Sequence, residues 1–130
     1  MKSILKSGLL FLAVFLFSNF SAQSKTENLR VEGNCGMCKE NIETAAKADK
    51  HVESAKWDKK TKMLTVTYDA GLTSTKNILQ HIAKVGYDNL AFHASDKSYR
   101  NLETCCQYKR PDNSSKMRAN CDPNQVCELK

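Results

Sequence analysis

The stretch Gly33-Asn34-Cys35-Gly36-Met37-Cys38 places a Cys-x-x-Cys pair between a strand-like run and a helix-like run. Upstream, Leu29-Arg30-Val31 alternates apolar and polar residues, as the end of a half-buried strand does. Gly33 and Asn34 break that run, and Asn34 is the predicted N-cap of the following helix. Because the positive end of a helix dipole favours thiolate over thiol, we expect these two sulfurs to be the working atoms.

The pattern beyond this stretch predicts an α+β fold. The helix that contains Cys38 is followed by two strands, and Leu64, Val66 and Tyr68 mark the second of them by strict alternation. A second amphipathic helix ends just before Gly86, and residues 89–92 resemble a last short strand. This order predicts a ferredoxin-like βαββαβ sandwich, with a four-stranded antiparallel sheet and two helices on one face.

The first 22 residues have the layout of a secretory signal peptide. Lys2 and Lys6 form a basic start, residues 8–17 are an apolar run, and cleavage is expected after Ala22. A run of this length is too short to cross a bilayer comfortably, although an uncleaved anchor is the alternative. The sequence therefore predicts an exported protein, located in the bacterial periplasm.

The predicted mature chain is one small domain with an extension. We expect a mobile lead-in at 23–27, the folded domain at 28–94 and a cysteine-containing extension at 95–130. Signal removal takes away two lysines and lowers the formal charge from +6 to +4. The remaining basic residues are interleaved with acidic ones, so we expect no nucleic-acid binding and no membrane insertion after signal removal. We also expect a monomer.

The six cysteines divide into one pair at the front and four near the end. For Cys35 and Cys38 the candidate roles are soft-metal binding, an inert disulfide, or thiol-disulfide exchange. The other four are Cys105, Cys106, Cys121 and Cys127. They predict either disulfides that join each member of the adjacent pair to one later cysteine, or a second thiolate site for zinc or copper. Residues 99–108 are a candidate short helix.

Two thiolates with few other ligands suit Cu(I) or Hg(II), which accept linear two-sulfur coordination. Zn(II) normally takes four ligands, so one pair leaves it short unless a partner supplies the rest. The open coordination also lets an incoming thiol form a three-sulfur intermediate. Transfer of the ion between proteins is therefore a natural function of such a pair.

The sequence resembles the heavy-metal-associated domain family, which includes copper chaperones, domains of metal-pumping ATPases and a mercury-binding protein. The resemblance covers about residues 28–93, and it is carried by Val31-Glu32-Gly33-Asn34-Cys35-Gly36-Met37-Cys38, Ile42-Glu43, the alternating Leu64 and Val66 before Tyr68-Asp69, and Gly86-Tyr87-Asp88. It implies that Cys35 and Cys38 are the metal ligands and that Tyr87 is adjacent without being a ligand. One departure is that Gly33-Asn34 stands where family members usually carry Gly-Met-Thr.

Together these features predict an exported protein that binds and transfers Cu(I) through Cys35 and Cys38, with Hg(II) or Zn(II) as the other candidate ions. Such a protein is not an enzyme. Its expected partner is a metal-donating or metal-accepting protein, either a transporter or an ATPase domain. The alternatives are a periplasmic thiol-disulfide redox protein that uses the same pair, and a disulfide-stapled binding module.

Overall fold

The computed structural model describes residues 23–110 and 124–128, so the predicted signal peptide lies outside the described residues. Within them the elements, in chain order, are β1 (Ser24–Arg30), α1 (Gly36–Lys47), β2 (Val52–Asp58), β3 (Met63–Asp69), α2 (Thr75–Lys84), β4 (Phe92–His93), α3 (Asp96–Arg100), a 3-10 turn (Thr104–Cys106) and β5 (Cys127–Glu128). None of these helices is both long enough and apolar enough to cross a membrane.

Three antiparallel strands form the main sheet, in the order β1-β3-β2. The predicted alternation of β3 is confirmed, since Leu64, Val66 and Tyr68 are all buried. The structure differs from the mobile lead-in expected at 23–27, because β1 already begins at Ser24 and pairs with β3 along its whole length. Its first residues are polar and mostly exposed, so their strand conformation comes from backbone pairing and leaves no apolar pattern in the sequence.

Both long helices pack against one face of this sheet. The buried residues of α1 are Cys38, Ile42, Ala45 and Ala46, and those of α2 are Ile78, Leu79, Ile82 and Ala83. Their three- and four-residue spacing forms one apolar stripe on each helix. The stripes join the buried strand residues in a single core cluster. Cys38 is thus a core residue that lies at the end of the domain where α1 begins.

The end of α2 is a Schellman motif built on Gly86. Gly86 has a φ of 109°, a left-handed conformation that side chains rarely adopt. Its N–H donates to Ala83 O at 3.1 Å, and the N–H of Tyr87 donates to Ile82 O at 3.3 Å. The motif turns the chain sharply and directs Tyr87 back into the core, where it is fully buried.

The predicted fourth strand is reduced to a single bridge in the described residues. Val31 pairs with Asn89, but β4 begins only at Phe92 and pairs with β5 instead of with the main sheet. The cause is the Asn89 side chain, whose Oδ1 accepts hydrogen bonds from the N–H groups of Ala91 (3.1 Å) and Phe92 (3.0 Å). This Asx turn bends the chain away from β1 before a longer ladder can form.

Residues 95–110 pack closely against the segment that follows α2. The Tyr108 hydroxyl accepts from the N–H of Asp88 at 2.7 Å and donates to Gly86 O at 3.2 Å. Arg110 donates two hydrogen bonds to the carboxylate of Asp88, at 2.7 and 2.6 Å, and a third to Asp96 at 2.8 Å. These contacts hold this part of the extension in a defined position on the domain.

Candidate metal centre

Cys35 is the N-cap of α1, the role predicted for Asn34. Its backbone is extended, with φ −139° and ψ 172°, and its Sγ accepts a hydrogen bond from the N–H of Cys38 at 3.2 Å. The side chain therefore sits directly at the positive end of the helix dipole. Asn34 contributes in another way, because its Oδ1 accepts from the Cys38 thiol at 3.3 Å and its N–H donates to that sulfur at 3.4 Å.

The sulfurs of Cys35 and Cys38 lie 2.7 Å apart, and both cysteines are free thiols. Cys38 is fully buried on the apolar stripe of α1, whereas Cys35 is partly exposed in the loop. One sulfur is thus held by the core, and the other is accessible from solvent. The structure brings the two predicted ligands together on one side of the helix N-terminus.

The loop that carries the pair rests on Trp57. A Cβ added to Gly33 would lie 3.0 Å from the Trp57 ring and 3.3 Å from Cys38 Cβ, so the backbone approaches the ring closely. The indole N–H donates to Val31 O at 3.0 Å, and the Lys62 ammonium donates to Gly33 O. Trp57 therefore fills the space beneath Gly33, in the part of the loop where family members usually carry Gly-Met-Thr.

Tyr87 lies beside the cysteines, and its hydroxyl accepts a hydrogen bond from Asn41 Nδ2 at 3.0 Å. Burial is the largest cause that raises the pKa of Tyr87 above its ordinary value, and a hydrogen bond with Cys106 raises it further. The hydroxyl is therefore protonated at neutral pH, and it can donate a hydrogen bond to a neighbouring sulfur. Tyr87 can therefore donate a hydrogen bond to the cysteine sulfurs of this site and does not add a negative phenolate to it.

Cys105 and Cys106 also reach this site. The Cys106 sulfur lies 3.3 Å from that of Cys35, the Cys105 sulfur lies 3.9 Å from it, and both residues are free thiols. This differs from the predicted disulfides to later cysteines and from a separate second site. The physical reason is the anchoring of Tyr108, which turns the 3-10 segment toward α1. Cys127 is disulfide-bonded, and Cys121 lies outside the described residues.

The four thiols differ in their access to solvent. Cys106 is fully buried and Cys105 is exposed. Burial is the largest cause that raises the pKa of the Cys106 thiol above its ordinary value, so this thiol keeps its proton in the metal-free protein. A soft metal ion displaces such protons when it binds, because the thiolate is the ligand. The arrangement can therefore accept an ion from solvent at Cys35 and Cys105 and surround it with buried sulfur.

No protein-family model and no curated protein matches the chain. A solved structure does: a Bacillus anthracis protein, strain Ames, named for copper-ion binding, is 33% identical. The match covers 53% of this chain and 99% of that protein, with a TM-score of 0.50. This chain belongs to the heavy-metal-associated domain family.

Two further solved structures are similar to the chain. The CopZ metallochaperone is 31% identical, with a TM-score of 0.49, and the match covers 51% of this chain and 100% of CopZ. The water-soluble region of the P-type ATPase CopA from Bacillus subtilis is 29% identical, also at 0.49, over 55% of this chain and 50% of that region. Because 53% of this chain already covers 99% of the Bacillus anthracis protein, close to half of the chain has no counterpart there.

Proposed function

We propose that this heavy-metal-associated protein binds Cu(I) through Cys35 and Cys38 and exchanges it with a partner protein. The observation that carries the proposal is the pair of free thiols, 2.7 Å apart, at the N-terminus of α1. Both sulfurs accept backbone N–H groups, Cys35 from Cys38 and Cys38 from Asn34. These donors and the helix dipole stabilise negative charge on sulfur, which is the form that binds metal.

The ligand chemistry favours a soft ion. The side chains of Cys105 and Cys106 that meet the Cys35 sulfur are thiols as well, and thiolates select Cu(I) over hard ions such as Mg(II) or Ca(II). The Bacillus anthracis relative is itself named for copper-ion binding, which supports copper over mercury or zinc as the natural ion. The activity proposed is therefore binding and transfer of the ion and involves no chemical conversion of a substrate.

The proposed partner is a protein that presents its own thiolate pair, such as the soluble domain of a metal-pumping ATPase or a transporter. An incoming thiolate can bond to the ion before a bond to this chain breaks, so the ion never has to enter water. The partial exposure of Cys35 and the full burial of Cys38 make Cys35 the sulfur that meets the partner. We further propose export, on the strength of the signal-like residues 1–22.

Titration of the reduced protein with Cu(I) against a chromophoric competitor tests the binding. We expect stoichiometric capture by the native chain and loss of tight capture in Cys35→Ser/Cys38→Ser. The matched control is Gly36→Ala, because a Cβ added at Gly36, between the two cysteines, meets nothing within 4 Å. No capture by the native chain, or equal capture by the double variant, would contradict the proposal. Catalysed reduction of insulin disulfides would instead favour the redox alternative.

A further inference from the structure

The adjacent cysteines of the extension are built into the fold at the position where they meet the metal loop. Cys106 is fully buried and belongs to the core cluster, and Cys105, beside it, is exposed. The 3-10 turn that carries them is closed by the N–H of Cys106, which donates to Glu103 O at 2.7 Å. This part of the extension is therefore packed into the core of the domain.

The residues after the turn fix its position. The Tyr108 ring stacks on Tyr87 with centroids 6.2 Å apart, and its hydroxyl bridges Gly86 and Asp88. Tyr99 meets Tyr108 edge-on at 5.2 Å and donates a hydrogen bond to its carbonyl. Because Tyr87 and Tyr108 are both buried, the turn cannot move away from α1 without exposing aromatic surface.

The sulfurs of Cys35, Cys105 and Cys106 form a triangle with edges of 3.3, 3.9 and 3.9 Å. A point equidistant from three sulfurs at these separations lies about 2.2 Å from each, close to the ~2.3 Å of a zinc–thiolate bond. Three thiolates at that distance can hold a soft ion in a trigonal arrangement.

We propose that Cys105 and Cys106 complete, with Cys35, a three-thiolate site for a soft metal ion, and that this site shares the Cys35 sulfur with the Cys35/Cys38 pair. The inference rests on the proposed function, because it adds ligands to the same ion. The third sulfur that a partner would contribute during transfer is here supplied by the chain itself. The protein is then a metal-retaining member of its family and releases the ion only when a partner displaces these extra ligands.

The movement of the ion within the site is a ligand exchange at constant oxidation state. Each cysteine that bonds to the ion gives up its thiol proton to solvent. When the ion passes from the loop pair to the triangle, bonds to Cys105 and Cys106 form, the bond to Cys38 breaks, and Cys38 regains a proton. Cys35 stays bonded throughout. Once the ion is in the triangle, the exposed Cys105 is accessible to a partner thiol together with the partly exposed Cys35.

X-ray absorption at the copper edge tests the coordination, with Cu(I)-loaded native chain beside Cys105→Ser/Cys106→Ser. We expect three sulfur ligands in the native chain and two in the variant. Mutation of a residue that only hydrogen-bonds to a metal ligand typically lowers metal affinity by about 10–100-fold. Removal of two ligands should cost at least as much, so the variant should release Cu(I) to a competing chelator at least about tenfold more readily. Thr104→Ala is the matched control, because Thr104 is exposed and lies in the same turn.

Single variants of the loop distinguish this inference from the proposed function. Cys38→Ser should still bind Cu(I) with three sulfurs through the triangle, whereas Cys35→Ser, which removes the shared sulfur, should lose tight binding. Two sulfur ligands and unchanged retention in both the native chain and Cys105→Ser/Cys106→Ser would overturn the three-thiolate site while leaving the proposed function intact. Failure of the native chain to bind Cu(I) would overturn both.

Discussion

Replacement of Arg110 by methionine should destabilise the protein strongly. The Asp88 carboxylate has only 3% of its side-chain surface exposed, and it receives two hydrogen bonds from the guanidinium. Arg110 also donates to Asp96 and to Ala94 O, at 2.8 and 2.7 Å. Removal of one partner from a buried ion pair costs about 3–5 kcal/mol, because the other charge is left buried without its counter-ion. Asp88 would keep the hydrogen bond that its Oδ1 accepts from the Ala94 N–H at 2.8 Å, which does not replace the guanidinium charge.

The measurement is urea unfolding of the reduced, metal-free protein, followed by the fluorescence of the buried Trp57. With an m-value of about 1.5 kcal/mol/M, the expected loss lowers the midpoint by about 2–3 M urea. Arg100→Met is the matched control, because Arg100 is exposed and its guanidinium bonds only to Asp96 O among the hydrogen bonds described. We expect the control to stay within about 0.5 kcal/mol of the native chain.

A double variant, Asp88→Asn/Arg110→Met, tests the reason given for that loss. If the loss of stability comes from the buried Asp88 carboxylate left without its counter-ion, the double variant should be more stable than Arg110→Met alone. The reasoning is refuted if Arg110→Met loses less than about 1 kcal/mol, a value typical of an exposed pair. It is also refuted if the double variant is no more stable than Arg110→Met.

Three further predictions concern acid stability, the turn after α2 and the tyrosine at the site. Burial alone would raise the pKa of Asp88, but the Arg110 guanidinium outweighs it and holds this pKa below its ordinary value. The stabilisation from the Asp88–Arg110 pair should therefore be complete above the ordinary carboxyl pKa and be lost as pH falls through the lowered pKa of Asp88. Unfolding free energies measured from about pH 6 downward should decline more steeply in the native chain than in Arg110→Met. Parallel curves for the two proteins would contradict this. Gly86→Ala should lower the melting temperature, because left-handed backbone costs a non-glycine residue about 1–2 kcal/mol and the new Cβ would lie 2.8 Å from Ser98 O; an unchanged melting temperature would refute the strain. Tyr87→Phe should leave Cu(I) affinity within about threefold, or about 0.7 kcal/mol, because all the proposed ligands are sulfurs; a tenfold loss in the competition titration would assign the hydroxyl a direct role.

The parts of the fold that the sequence predicted are those encoded by local pattern. The alternation of β3 and the apolar stripes of both helices reflect burial on one face, which the chain must satisfy with apolar residues at fixed spacing. Gly86 was a reliable stop signal because its left-handed conformation excludes most other residues. The start of β1 was missed because an exposed strand held by backbone pairing needs no such pattern.

The fourth strand and the full thiol cluster depend on contacts that residue spacing does not reveal. Asn89 ends the strand pairing because its side-chain Oδ1 accepts hydrogen bonds from N–H groups two and three residues later, and these bonds override the apolar run around it. Cys106 meets Cys35 across 71 positions of the chain. The only local signal for that meeting is the adjacent cysteine pair just before Tyr108, and it is equally compatible with disulfides. The hydrogen bonds of the Tyr108 hydroxyl to Gly86 and Asp88 place the adjacent cysteines beside Cys35 as free thiols, and the sequence does not reveal these bonds.

The most direct test of the central claim is the metal content of protein purified under anaerobic conditions, determined by elemental analysis beside the Cys35→Ser/Cys38→Ser variant. A soft-metal site centred on Cys35 predicts stoichiometric copper in the native chain and little in the variant. Equal copper in both proteins, or a native chain that carries zinc or no metal, would contradict the claim.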